Sequence, residues 1–214
     1  MGIADPSKRL EAMPPYMFAE LERRVAEKRA AGVDVISLGI GDPDEPTYPH
    51  IVKAMQEAVA DPGTQKYPSN RGRDEFRQAF ADFYGRRFGV EIDPATEVIP
   101  AIGATECIYN LCFAFLDQGG VALASDPGYP VYTGGPILAG ATPELLPLVP
   151  DLGFAPDLSA VPAEVAAGAR LMFLNYPNNP SGAVVPEGFF RISLTTPDER
   201  ITEAVERMRE HLAA

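Results

Sequence analysis

"VALASDPGYPVYTGGPILAGATPELLPLV", residues 121–149, reads as a strand, a helix and a second strand in succession. "VALAS" is a short apolar run closed by the turn-forming Asp126, Pro127 and Gly128, the signature of a buried strand. A helical stretch runs to about Ala139, and "ELLPLV" follows as another strand. Two strands joined through a helix lie parallel, because a crossover is needed to bring the chain back to the same end of the sheet.

The same alternation extends in both directions. Upstream, "TEVIPAI" (96–102) reads as a strand and "GATECIYNLCFAFL" (103–116) as a helix opening on a glycine. Downstream, "PAEVAAGA" is helical and "RLMFLNYP" is a strand running into a polar loop stiffened by prolines. Strands alternating with helices from residue 96 to 180 predict an α/β fold, a parallel sheet with helices on both faces. Ligand crevices in such sheets open beyond the C-terminal strand ends. The polar loops after "VIPAI", "VALAS" and "RLMFL" all fall at that edge.

Nearer the N-terminus, residues 15–31 form an amphipathic helical pattern with Phe18, Leu21 and Val25 on one face. "DVISL" (34–38) is a short strand ending in the turn-rich "GIGDPD". Helical patterns follow at about 49–61 and 73–88, the latter with Phe76, Phe80 and Phe83 as its stripe. At the other end, Phe189–Thr195 reads as a strand. A final helix is marked by Thr196 with Glu199 as a capping box, Pro197 at the first helical position, and a stripe from Ile201 to Leu212.

The composition bounds the function. With 214 residues, 46% of them hydrophobic and 22% charged, the chain can bury a core as an ordinary globular protein. A formal net charge of −12 argues against nucleic acid and anionic membrane surfaces, which demand basic patches. The N-terminus "MGIADPSKRL" has no apolar signal segment, and no apolar run approaches membrane-span length, so a cytoplasmic location is expected. Cys107 and Cys112 would stand roughly 140° apart around a helix. That spacing argues against a shared metal or a disulfide and predicts two free thiols.

Four places could carry chemistry. Gly103-Ala104-Thr105, between a strand and a helix, offers backbone N–H groups and a hydroxyl at the positive end of a helix dipole: a phosphate site, or an ordinary helix cap. Tyr129 in "DPGYPVY" could stack on a flat cofactor, or pack as a plain tyrosine. Asn179 in "NNP" could bond a ring oxygen, or serve a turn. Arg191 in "FFRIS", an arginine between apolar neighbours in a strand, needs an anionic partner, either a ligand carboxylate or a structural acid. Neither a G-x-G-x-x-G nor a G-x-x-x-x-G-K-[ST] fingerprint is present, which makes a generic nucleotide-binding domain the poorest reading.

Seven segments in order, "PPYMFAEL", "ISLGIGDPD", "KYPSNRG", "IGATECI", "DPGYPVY", "LMFLNYPNNPSGA" and "FFRISL", resemble the fold-type I, pyridoxal-phosphate-dependent class I/II aminotransferases, nearest to their LL-diaminopimelate aminotransferase-like branch. The resemblance implies a role for each matching residue. Ala104 and Thr105 would hold the phosphate of pyridoxal 5′-phosphate, with Tyr67 reaching it from a partner subunit. Tyr129 would stack on the pyridine ring and Asn179 would bond its 3′ oxygen. Arg191 would clamp the substrate α-carboxylate, with Gly41 and Tyr16 lining that pocket. The substrates implied are an amino acid and a 2-oxo acid, the assembly a homodimer. The family usually has Ser-Lys where Ala104-Thr105 stand.

By the same resemblance a long segment is missing between "NNPSG" and "FRIS". In the family it carries an aspartate that pairs the pyridinium nitrogen and a lysine that forms the Schiff base. This chain has lysines only at 8, 28, 53 and 66, and no aspartate between Asp157 and Asp198. The two flanks join near Val185-Pro186-Glu187. The expected organisation is an N-terminal arm and small-domain segment (1–46), a partial cofactor-binding large domain (47–185), and a small-domain strand and helix (186–214), remnants of a small α+β domain. Two functional readings follow: an aminotransferase-family protein inactive as written, or a non-catalytic remnant that binds a phosphate ligand or a partner chain.

Overall fold

The computed structural model describes residues 5–15, 17–33, 35 and 46–184. The described residues fall into two compact units, one drawn from Met1–Pro14 with Ile102–Ala214 and the other from Pro15–Ala101. The strand read at "DVISL", the strand at 189–195 and the last helix lie outside the described residues, apart from Val35.

The first unit holds α1 (Lys8–Glu11), α5 (Gly103–Phe115), β1 (Val121–Asp126), α6 (Val131–Ala139), β2 (Thr142–Pro147), α7 (Ala163–Gly168) and β3 (Ala169–Phe173). The second holds α2 (Met17–Ala30), α3 (Pro49–Ala60) and α4 (Asp74–Phe88). Among the described residues the strands form one three-stranded sheet in the order β2-β1-β3, parallel throughout. The register runs from Val121 opposite Thr142 to Asp126 opposite Pro147 on one side of β1, and from Ala122 opposite Leu171 to Ala124 opposite Phe173 on the other.

Alternation along the strands sorts the core onto two faces. Ala122, Ala124, Leu171 and Phe173 pack with Ile108 and Cys112 of α5 and Val131 and Tyr132 of α6. Leu123, Leu146 and Met172 point the other way, where Val161 and Val165 cover them. The sheet is therefore covered on both faces, as expected. Such burial stabilises by about 1.5–3 kcal/mol for each large apolar side chain, offset by the entropy of ordering it. α1 rests on α6, where Arg9 Nη1 donates to the Leu138 carbonyl at 3.3 Å.

In the second unit α2 half-buries Leu21 and Val25, two of the three positions expected on its inner face. The stripe read on α4 is another matter. Phe76, Phe80 and Phe83 are all exposed, and the buried positions of the helix are Arg77 and Ala81. Periodicity identifies an apolar face but not what covers it.

The strand expected at 96–102 is absent: residues 94–97 form a turn instead. Asp93 organises it, its carboxylate accepting from the Ala95 amide at 2.8 Å and the Thr96 hydroxyl at 2.6 Å, while the Asp93 amide donates to Glu97. Those bonds hold the Asp93 carboxyl below its usual range, Thr96 contributing most. Arg77 fastens the turn to α4 by donating to the Pro94 carbonyl at 2.7 Å and pairing with Asp74. A polar loop so well satisfied competes successfully with β-pairing.

Candidate functional site

The site lies where β1 and β3 end. Because the two strands are parallel, the loops leaving them emerge on one edge of the sheet. After β1 the chain turns at Asp126–Gly128; a Cβ on Gly128 would sit 2.2 Å from the Ser125 carbonyl oxygen, so only glycine permits this turn. The turn delivers Tyr129, half-buried, with its ring edge-on to Tyr132 at 5.8 Å between centroids. Tyr132 in turn stacks on Phe173 at 5.3 Å, so the ring of Tyr129 stands on the apolar core.

α5 arrives at the same place. Gly103 adopts φ +84°, a left-handed conformation that favours glycine, as the chain enters the helix. The first amides of a helix have no intrahelical acceptor, so those of Gly103, Ala104 and Thr105 remain available to an anion. The Glu106 carboxylate accepts the Ile102 amide just ahead of them. Thr105 Oγ1 and Tyr129 Oη lie 3.2 Å apart, a hydrogen bond that joins the helix end to the loop after β1. Ala104 and Thr105 are exposed.

The loop after β3 completes the edge. Ser125 Oγ donates to the Phe173 carbonyl at 3.1 Å, locking the strand ends together. Asn175 Oδ1 accepts the Asn179 amide at 3.0 Å, which leaves the exposed Asn179 side chain at the edge. Its neighbour Asn178 is 3% exposed and donates from Nδ2 to the Pro127 carbonyl at 3.3 Å. Sequence reasoning singled out Asn179 and missed Asn178; two adjacent asparagines look alike until the fold buries one.

Tyr67 belongs to the other compact unit, is fully exposed, and lines a cleft of about 530 Å³ together with Lys66, Ser69 and Arg73. Tyr16, Gly41 and Arg191 lie outside the described residues. Both cysteines are free; Cys112 is buried and its thiol is pushed up to about 11 by burial, which keeps it an inert core residue. Among the described residues no group of three His, Cys, Asp or Glu side chains is placed to hold a metal, and no helix is long and apolar enough to cross a membrane.

Comparison with known proteins gives a consistent result. The family model described as aminotransferase class I and II matches residues 33–190. The LL-diaminopimelate aminotransferase of Desulforudis audaxviator is 54% identical over 184 residues, covering 86% of this chain and 47% of that protein. Among solved structures, apo-BacF from Bacillus subtilis superposes with a TM-score of 0.80 at 38% identity, over 86% of this chain and 47% of its own. A single mutant of Thermus thermophilus aspartate aminotransferase gives 0.78 at 29% identity, over 98% and 51%. The chain spans about half the length of the curated relatives it matches.

Proposed function

The chain belongs to the class I and II aminotransferases, and from that premise we propose that it holds pyridoxal 5′-phosphate non-covalently at the sheet edge and does not transfer amino groups as it stands. The observation that carries this reading is the 3.2 Å contact between the Thr105 and Tyr129 hydroxyls. It brings the anion-accepting end of α5 and a core-supported aromatic ring to one place. The amides of Gly103, Ala104 and Thr105, with the Thr105 hydroxyl, would hold the phosphate. Tyr129 would lie against the ring and Asn179 would bond the ring oxygen. Arg191, with Gly41 and Tyr16, would receive the α-carboxylate of an amino acid or 2-oxo acid, and Tyr67 would act from a second copy in a homodimer.

The helix-end amides, the two hydroxyls and the supported ring favour a phosphate and a flat ring; the lysines present do not favour a covalent anchor. When bound, the cofactor supplies an electron sink, but its use requires a lysine to move the proton at the substrate Cα. No lysine follows Lys66. Lys8 sits on α1, which docks where Arg9 meets Leu138 near the far end of α6. That point is about 12 Å along the helix from the edge carrying Tyr129. Lys28, Lys53 and Lys66 belong to the other compact unit.

The test is a single-turnover half-reaction with stoichiometric pyridoxal 5′-phosphate and an amino acid, scored for pyridoxamine phosphate. The expected rate equals that of cofactor and amino acid alone. Faster product formation, abolished by Lys66→Ala, would overturn the reading. A second reading, binding of a partner chain or self-association, is favoured by the exposed Met55 and Val59 of α3 and the exposed phenylalanines of α4.

A further inference from the structure

The loops after β1 and β3 meet through one side chain that no part of the proposed cofactor contact uses. Asn178 is 3% exposed, and the hydrogen bonds on its two amide atoms run in different directions. Oδ1 accepts from the Ser181 hydroxyl at 2.7 Å and from the Ser181 amide at 3.2 Å. Two donors on that atom identify it as the oxygen and leave Nδ2, a donor, for the Pro127 carbonyl at 3.3 Å. The backbone closes the loop around it, with the Asn178 amide on the Ala183 carbonyl at 2.8 Å and the Gly182 amide on the Asn178 carbonyl at 2.7 Å. Pro127 stands two residues before Tyr129, and Asn179 directly follows Asn178.

We infer that Asn178 is a positioning residue that sets the spacing between Tyr129 and Asn179 by tying the two loops together. This rests on the cofactor reading above, since it is that reading which makes the spacing matter for a flat ring held between an aromatic face and an amide. A buried amide bridging two loops has no solvent to replace a lost partner, so the register of both loops depends on it.

Asn178→Asp keeps size and the acceptor for Ser181 but turns an oxygen toward the Pro127 carbonyl. Ser181→Ala removes two bonds within the loop after β3, to Asn178 Oδ1 and from the Ala183 amide, and leaves the Nδ2 bond to Pro127 in place. Two readouts separate the roles: hydrogen exchange of the segment 126–132 without ligand, and binding of pyridoxal 5′-phosphate with its induced circular dichroism. Asn178→Asp is expected to speed exchange in 126–132, some 50 residues away in sequence. It should also weaken cofactor binding by about tenfold and diminish the induced signal. Ser181→Ala should leave 126–132 as in the parent.

Unchanged exchange in 126–132 in folded Asn178→Asp, or an equal increase in Ser181→Ala, would overturn the inference. Absence of any saturable cofactor signal in the parent chain would sink the cofactor reading alone, and exchange would still decide the positioning role. Should Asn178→Asp fail to fold, Asn178→Ser, smaller and uncharged, is judged by the same measurements.

Discussion

Replacing Gly135 with alanine tests whether the apposition of α5 and α6 is the support on which Thr105 and Tyr129 rest. A Cβ at Gly135 would lie 2.7 Å from Cys112 Sγ, closer than real Cβ atoms approach, and 3.6 and 3.7 Å from Cys112 Cβ and Tyr109 Cδ1, ordinary contacts. Cys112 is completely buried, so either its thiol must turn within the packed core or the helices must part. Overpacking of this kind costs about 1–3 kcal/mol. Gly135 directly precedes Pro136, whose ring disfavours a Cβ-bearing residue in the helical region, so alanine brings none of the gain over glycine that it has elsewhere in a helix. The net expectation for Gly135→Ala is a loss of about 1–3 kcal/mol, to which the proline adds.

The partner change makes the reasoning strict. Cys112→Ala removes Sγ, the only close atom, at a cost of about 1 kcal/mol in lost burial. In that background Gly135→Ala is relieved of the overpacking against Sγ and should cost only what Pro136 imposes. Urea unfolding of the four proteins would then give a favourable coupling energy of about 1–3 kcal/mol. Additive effects, with no coupling, would refute the apposition of Gly135 and Cys112.

Other outcomes follow from the same structure. The Cys112 thiol is raised from 9.0 to about 11 by burial, so the fold favours its neutral form; that stabilisation is complete below about pH 9 and lost as pH rises toward 11, and Cys112→Ala should flatten the alkaline decline in stability measured over this window. Native protein should also expose Cys107, which is half-buried, to a thiol reagent well before Cys112. Arg77→Ala should cost about 1–3 kcal/mol by leaving the carbonyls of Pro94 and Ala95 without their donor, read by thermal or urea unfolding. The chain should self-associate in sedimentation velocity with rising concentration, and Phe80→Ser with Phe83→Ser should reduce that association; a compact monomer at high concentration would count against it.

Much of this fold was legible in the sequence because its signals are local. "VALAS" and "RLMFL" are apolar runs closed by turn residues, and both became parallel neighbours in the sheet with helices between them. The strand at 96–102 was misread for a specific reason: apolar residues from Val98 to Ile102 resemble a strand, but Asp93 and Arg77 hold the preceding turn from outside the window that periodicity scans. The phenylalanines of α4 were legible as a stripe and not as an exposed one, since coverage depends on chain distant in sequence. At the site, Thr105 and Tyr129 were both singled out, but their contact across 24 residues came only from the fold. Asn178 carried no signal that set it apart from Asn179.

That the sheet edge holds pyridoxal 5′-phosphate without a covalent anchor is tested most directly by treating the saturated complex with borohydride, dialysing it, and weighing the chain by mass spectrometry. One equivalent should bind before treatment, weaken on Thr105→Val, and leave on dialysis with no stoichiometric pyridoxyl adduct. A full equivalent retained on a single lysine, or no saturable binding before treatment, would contradict it.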